Sequence, residues 1–355
     1  MVKNTEHRIA GISIGDLNGI GGEIILKTFE DTRMLENITP VLFANVKTLS
    51  YIKRSIQSNA TLHGIDSLDQ IVHGKINVLN VWKETVEIQW GQNSEKVGEY
   101  AIKSFTAATD ALKKGDIDVL ITAPINKYNI QSEDFKFPGH TDYLDQELEG
   151  EALMLMVHDQ LRVGLLTDHL PVNEVASALT RERLQQKIRT LNKTLVRDFR
   201  INRPRIAVLG LNPHAGDNGV IGNEENEIIA PALSELFDQG VLAFGPYSAD
   251  GFFGSGQYEQ YDAILAMYHD QGLIPFKTLA FGKGVNYTAG LNRVRTSPDH
   301  GTAYDIAGKN QADFESFRQA VYVAIDVYNA RNEYDYHAKN PLKIKEKSLE
   351  SKKGN

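Results

Sequence analysis

Short apolar runs recur along the chain, separated by longer stretches in which apolar residues return every three or four positions. The first pattern marks strands buried on both faces, and the second marks helices that bury one stripe. Strands are predicted over residues 9–14, 41–44, 76–81, 119–122, 161–167, 205–211 and 261–268. Between them, Glu95–Lys114 sets Val97, Ala101, Ile102, Phe105, Ala108 and Leu112 on one helical face and stops at Gly115. Residues 224–239 do the same with Ile228, Ile229, Ala232, Leu233, Leu236 and Phe237. Acids occupy the first turn of that helix and Gly240 follows its last. Strands alternating with helices predict an α/β fold with a mostly parallel sheet.

At 355 residues the chain is larger than one core usually supports, so two domains are expected. Polar residues and Pro138-Gly139 interrupt the alternation across 126–138, where a domain change is expected. With 41% hydrophobic and 24% charged residues, a disordered or fibrous protein is excluded. Acids outnumber bases 46 to 38, giving −8 and no electrostatic case for a nucleic-acid partner. No apolar run approaches the roughly 20 residues that span a bilayer, so no membrane partner is expected. The polar start, Met1-Val2-Lys3-Asn4, lacks a signal-peptide core, which predicts a cytoplasmic protein. Cysteine is absent, so any transition metal must be held by nitrogen and oxygen ligands. Residues 343–355 carry five lysines against two glutamates and read as a mobile basic tail.

Three histidines follow three predicted strands: in Asp168-His169-Leu170-Pro171, in Asn212-Pro213-His214-Ala215-Gly216, and in His269-Asp270-Gln271-Gly272. Ligands of open α/β sheets bind beyond the carboxyl ends of strands, and neighbouring strands lie about 4.8 Å apart. A single histidine there is often only a hydrogen-bonded turn residue. Three at equivalent places favour a shared site, and three imidazoles with open positions suit a catalytic zinc or similar ion. His7, His63, His73, His158 and His337 lack this setting.

Gly15-Asp16-Leu17-Asn18-Gly19-Ile20-Gly21-Gly22 joins a strand to a helix but matches no dinucleotide or Walker spacing. It reads equally as a tight connection or a nucleotide cradle. Pro138-Gly139-His140-Thr141 puts an imidazole and a hydroxyl beside a flexible glycine in an expected loop. Residues 276–297 hold Lys277, Asn286 and Arg295 among Gly282, Gly284 and Gly290 without evident periodicity, so a site-building loop is expected there. Such donors suit a small phosphorylated acid, with arginine offering a bidentate fork.

The same segments, with Gly245-Pro246, Ala249-Asp250 and Arg295-Thr296-Ser297-Pro298-Asp299-His300-Gly301-Thr302-Ala303, resemble the 4-hydroxythreonine-4-phosphate dehydrogenase family of pyridoxal phosphate biosynthesis. The resemblance runs collinearly over about residues 8–330. It implies His169, His214 and His269 as metal ligands and His140, Thr141, Lys277, Asn286 and Arg295 as substrate-binding residues. His300 to Asn310 also resembles the adenosine-side loop of isocitrate and isopropylmalate dehydrogenases, which implies His300, Gly301, Thr302, Ala303 and Asn310 at the cofactor. The implied fold is the two-domain one of that superfamily, with mostly parallel sheets and the active site in the interdomain cleft. Residues 1–128 with 300–342 would form one α/β domain, and 129–299 a second carrying the metal site and dimer interface. A homodimer with its site at the subunit interface, NAD or NADP, and a divalent ion (zinc, magnesium or cobalt) are implied as well. Relatives commonly read Gly-Glu-Pro-Ala-Gly-Ile-Gly-Pro-Glu near the start, and Asp16, Leu17, Asn18 and Gly22 depart from it.

The implied reaction oxidises the C3 alcohol of 4-phosphooxy-threonine, passes hydride to the nicotinamide, and gives a β-keto acid that decarboxylates to 3-amino-2-oxopropyl phosphate. A metal-bound alcohol loses its proton readily, as metal-bound water does. Asp250 or Asp270 would orient a ligand histidine, and Lys277 would hold substrate charge or relay a proton. Three alternatives remain from the sequence: a dehydrogenase of threonate or erythronate 4-phosphate, a three-histidine metal hydrolase, and a metal-stabilised binding protein.

Overall fold

The computed structural model describes residues 7–132 and 135–340, so the basic segment 343–355 lies outside the described residues. Within them the strands are β1 (Arg8–Ser13), β2 (Ile38–Ala44), β3 (Leu62–Ile65), β4 (Ile76–Asn80), β5 (Val119–Thr122) and β6 (Gly150–His158). There follow β7 (Leu161–Leu165), β8 (Ile206–Leu209), β9 (Ala243–Tyr247), β10 (Ala263–Ala266), β11 (Val285–Leu291) and β12 (Arg295–Pro298). They form one sheet in the order β3-β4-β2-β1-β5-β12-β11-β6-β7-β10-β8-β9. Pairing is parallel except where β11 joins β12 and β6 and where β6 joins β7. The fold is α/β with a large, mostly parallel sheet, as the alternation predicts.

All seven predicted strands are present, because each supplies a run that is buried on both faces, such as 0% exposure for Val119, Leu120 and Ile121. Five further strands, the apolar β6 among them, lie outside the predicted set. In β12 three of the four buried residues, Arg295, Thr296 and Ser297, are polar, which hides the strand from any hydrophobic pattern. The expected loop over 276–297 is therefore corrected: it holds the end of the helix His269–Ala280, all of β11 and the first residues of β12. The expected loop at Pro138-Gly139-His140-Thr141 is corrected likewise, since His140 opens the helix His140–Glu147.

Glu95–Lys114 is helical over its predicted span. Ser94 caps its first turn by accepting from Val97 N, and Gly115 ends it at φ 80°, a conformation glycine adopts without strain. The second predicted helix begins as a wider π-type turn, Glu225–Ile229, and continues as Ala230–Asp238. The helix Glu315–Ala338 packs along the sheet and is tied to the helix Arg181–Phe199 by a buried charge cluster. In it the Arg331 guanidinium donates to both oxygens of Asp198 at 2.7 and 3.0 Å, while Tyr287 Oη donates to Asp198 Oδ2 at 2.5 Å.

The N-terminal glycines serve close packing. Gly15 has φ 70°, and a Cβ there would stand 2.3 Å from the Pro124 carbonyl oxygen; one on Gly19 would stand 2.8 Å from that of Thr302. Of the two sequence readings of this loop, the structure supports the tight connection, because the protein's own backbone fills the space an anion would need.

Candidate active site

The strands that end before the three histidines are neighbours, since β10 pairs in parallel with β7 on one side and β8 on the other. His169 and His269 meet, with ring centroids 6.4 Å apart. His269 Nδ1 donates to Asp270 Oδ1 at 2.7 Å, which leaves the Nε2 lone pair available. His169 Nε2 accepts from the Lys127 ammonium at 3.1 Å. Burial first and Lys127 second hold the His169 pKa below its usual value. His214 does not join them. It sits in a turn where five consecutive residues, His214 to Asn218, have positive φ, and its charge is felt by Asp250. That turn is pinned by the buried Glu225 carboxylate, which accepts from the backbone N–H groups of Leu211 and Asn212 at 2.7 and 2.8 Å. Asp250 also accepts from Ser248 Oγ at 2.5 Å.

Beside His169 lies a cavity of about 200 Å³. Its walls come from the end of β5 and the residues after it (Thr122, Lys127), from His140, Thr141 and Asp142, and from Asn286, Arg295, Ser297 and His300. Arg295 is 2% exposed, and no carboxylate pairs with it among the described residues. Its Nε and Nη2 donate to Thr122 Oγ1 at 3.1 and 2.6 Å, Nη1 to Thr288 Oγ1 at 3.1 Å, and Nη2 to His140 Nδ1 at 3.0 Å. The guanidinium fork is thus engaged largely by the protein, and Arg295 acts as a buried positive charge that also organises its neighbours. Desolvation pushes its pKa down to about 9, so it is charged at neutral pH. Four buried polar atoms along these walls have no hydrogen-bond partner: His140 Nε2, Asp142 Oδ2, Asn286 Oδ1 and His300 Nε2. Buried polar groups are nearly always satisfied, so their convergence marks a ligand site.

Of the substrate residues expected, His140, Thr141, Asn286 and Arg295 line this cavity, and Lys277 does not. Lys277 instead pairs with Asp299 Oδ1 at 3.1 Å on a half-exposed helix face. Of the cofactor residues expected, His300 and Gly301 line the cavity. Thr302 and Asn310 pack on the N-terminal segment, with Ile20 N donating to the Thr302 carbonyl and Lys27 Nζ to that of Asn310. Ala303 adopts φ 44° in the same loop. Lys127 and Asp142 were missed by the sequence reading. The strand-end rule, applied to β5 as it was to the histidine strands, points to Lys127; Asp142 carried no signal beyond lying next to Thr141.

Fold and cavity together define an α/β protein with a small, cationic ligand site beyond the ends of its central strands. The chain belongs to the family described as pyridoxal phosphate biosynthetic protein PdxA, whose model matches residues 36–324. It is 48% identical over 335 residues to a 4-hydroxythreonine-4-phosphate dehydrogenase of Bacteroides thetaiotaomicron, covering 94% of this chain and 92% of the relative. A Sulfurihydrogenibium protein of the same name is 41% identical, with 88% and 96% coverage. The solved structure of a 4-hydroxythreonine-4-phosphate dehydrogenase from Klebsiella pneumoniae superposes with a TM-score of 0.77 at 34% identity, covering 91% of this chain and 99% of that one.

Proposed function

We propose that this protein oxidises 4-phosphooxy-L-threonine with NAD or NADP and a divalent metal ion, giving 2-amino-3-oxo-4-(phosphooxy)butanoate, which decarboxylates. The observation that carries the reading is Arg295: a guanidinium buried without a carboxylate, in a cavity whose unsatisfied atoms face the same space, requires an anionic ligand. Phosphate meets that need, with the His140 Nε2–H as a further donor.

The donors at the strand ends fit a divalent ion in their chemistry: His169 and His269 are adjacent, and Asp270 fixes the tautomer of His269. These two would hold the ion, with His214 as the third ligand in the proposal. Such an ion would acidify the substrate alcohol and polarise the ketone that follows. Asp270 and Asp250 are assigned to orient His269 and His214. His300 and Gly301 would border the space for hydride transfer, with Thr302 and Asn310 holding that loop to the N-terminal segment and Ala303 between them.

The interdomain cleft and the homodimer belong to the same proposal. Lys277 does not line its own chain's cavity and is flanked on its helix by Ile274, 64% exposed, and beyond the helix end by Phe281, 86% exposed. A second subunit covering this face would bury the apolar pair and let Lys277 serve the partner's substrate. Purified protein mixed with metal, either cofactor and 4-phosphooxy-L-threonine should raise absorbance at 340 nm. No rise with either cofactor and any of the three metals would overturn the reading.

A further inference from the structure

Asp16 follows β1 and is 1% exposed. Its carboxylate is held by neutral donors from three segments. Tyr304 Oη donates to Oδ2 at 2.7 Å, Asn129 Nδ2 to the same oxygen at 3.2 Å, and the Asn18 N–H to Oδ1 at 2.9 Å. Asn129 Nδ2 also donates to Tyr304 Oη at 3.0 Å, which closes a triangle. A buried carboxylate needs such donors. Burial raises the Asp16 pKa, and the bond from Tyr304 is the strongest influence opposing that rise.

Tyr304 lies in the middle of His300 to Asn310, the stretch assigned above to the cofactor. Elsewhere that stretch is fastened through its backbone: the Thr302 carbonyl accepts from Ile20 N, and the Asn310 and Ala312 carbonyls from Lys27 Nζ. Asn18 braces it from the other side. Its Oδ1 accepts from Gln89 N and its Nδ2 donates to the Gln92 carbonyl, both at 2.8 Å. Between those two, Gly91 presses on Tyr304, where a Cβ would stand 2.6 Å from the Tyr304 carbonyl oxygen, and Trp90 lies against Gly308.

We propose that Asp16 is a positioning residue for the dinucleotide: by gripping the Tyr304 hydroxyl it keeps residues 300–310 in their binding shape before the cofactor arrives. This rests on the function proposed above. A loop already ordered in the free protein loses little conformational freedom on binding, so affinity rises without any new contact to the ligand. A loop released at Tyr304 must be ordered at every binding event. Because Tyr304 is held through its side chain, that tie can be cut while the backbone fastenings stay.

The alternative is that Asp16 only satisfies buried donors and supports the fold. Wild type, Tyr304→Phe, Asp16→Asn and the double variant are titrated calorimetrically with NADH, NADPH, zinc and 4-phosphooxy-L-threonine, and steady-state constants are measured. Tyr304→Phe should weaken the dinucleotide that wild type prefers by about tenfold, the lower end of what one hydrogen bond to a charged group contributes. KM for the dinucleotide should rise with it, while kcat at saturating cofactor holds. Affinity for zinc and for 4-phosphooxy-L-threonine should stay at the wild-type value, because Asp299, beside His300, is anchored separately by Ser316 Oγ. Asp16→Asn should weaken the dinucleotide at least as much, and the double variant no more than Asp16→Asn alone, since both changes act through the same hydrogen bond.

Unchanged dinucleotide affinity in Tyr304→Phe, or equal losses for dinucleotide, substrate and zinc with a lower melting temperature, would overturn the inference and leave the dehydrogenase reading standing. Folded wild-type protein that binds neither dinucleotide would remove both.

Discussion

Arg295 Nη2 donates to His140 Nδ1 across 3.0 Å, in a place where both residues are buried. Because a guanidinium only donates, His140 Nδ1 must accept, so the imidazole is neutral and its proton sits on Nε2. Nε2 is the atom left without a partner inside the cavity. One hydrogen bond between distant parts of the chain thus sets the charge, the tautomer and the free donor of the site.

Arg295→Lys keeps a charge but cannot hold Thr122, Thr288 and His140 together. Catalytic efficiency should fall by about ten- to a hundredfold on the phosphorylated substrate, with kcat and KM both affected, since a remote phosphate helps align the alcohol. On a substrate without its phosphate, Arg295→Ala should lose less than on the phosphorylated one, the remaining loss coming from Thr122, Thr288 and His140 left without their shared donor. Equal losses on the two substrates would show that Arg295 does not read phosphate.

Stability should respond in the acid direction. Burial holds the pKa values of His140, His169 and His300 below their usual value, so the folded chain resists protonation. As pH falls through about 6.5, the unfolded chain takes up protons that the folded chain does not, and folding loses free energy. The melting temperature should drop between pH 7 and 5, and His140→Gln should make that drop shallower.

Metal binding should depend on Asp270. Replacing it with asparagine leaves His269 in place but removes the carboxylate that fixes its tautomer, which should cost about ten- to a hundredfold in metal affinity. Direct measurement of bound zinc or cobalt tests this without any turnover assay. His214→Ala should lower metal content as well, and unchanged content would exclude it from the ligand set.

Asp198→Ala would strand the Arg331 guanidinium, whose side chain is 7% exposed, and leave Tyr287 Oη without its acceptor. A loss of about 3–5 kcal/mol is expected from breaking such a buried pair on one side. Urea denaturation of Asp198→Ala and of the double replacement Asp198→Leu with Arg331→Met should show the double variant recovering much of the loss.

Periodicity by itself determined the α/β class, seven of the twelve strands and the helix Glu95–Lys114, because burial on both faces of a strand or one stripe of a helix is written in consecutive residues. It also determined that His169, His214 and His269 follow strands, and those strands proved adjacent. Much of what it missed was polar. β12 escaped notice because its buried Arg295 and Thr296 are satisfied by distant partners such as Thr122, 173 positions away, and the Ala320 carbonyl, which no local pattern encodes. Only the tertiary structure could place His269 beside His169 while turning His214 aside on a left-handed turn held by Glu225. It alone brought Lys127 and Asp142 to either side of Gly139, since charges gathered from separate elements take their meaning from what is, or is not, within reach to neutralise them.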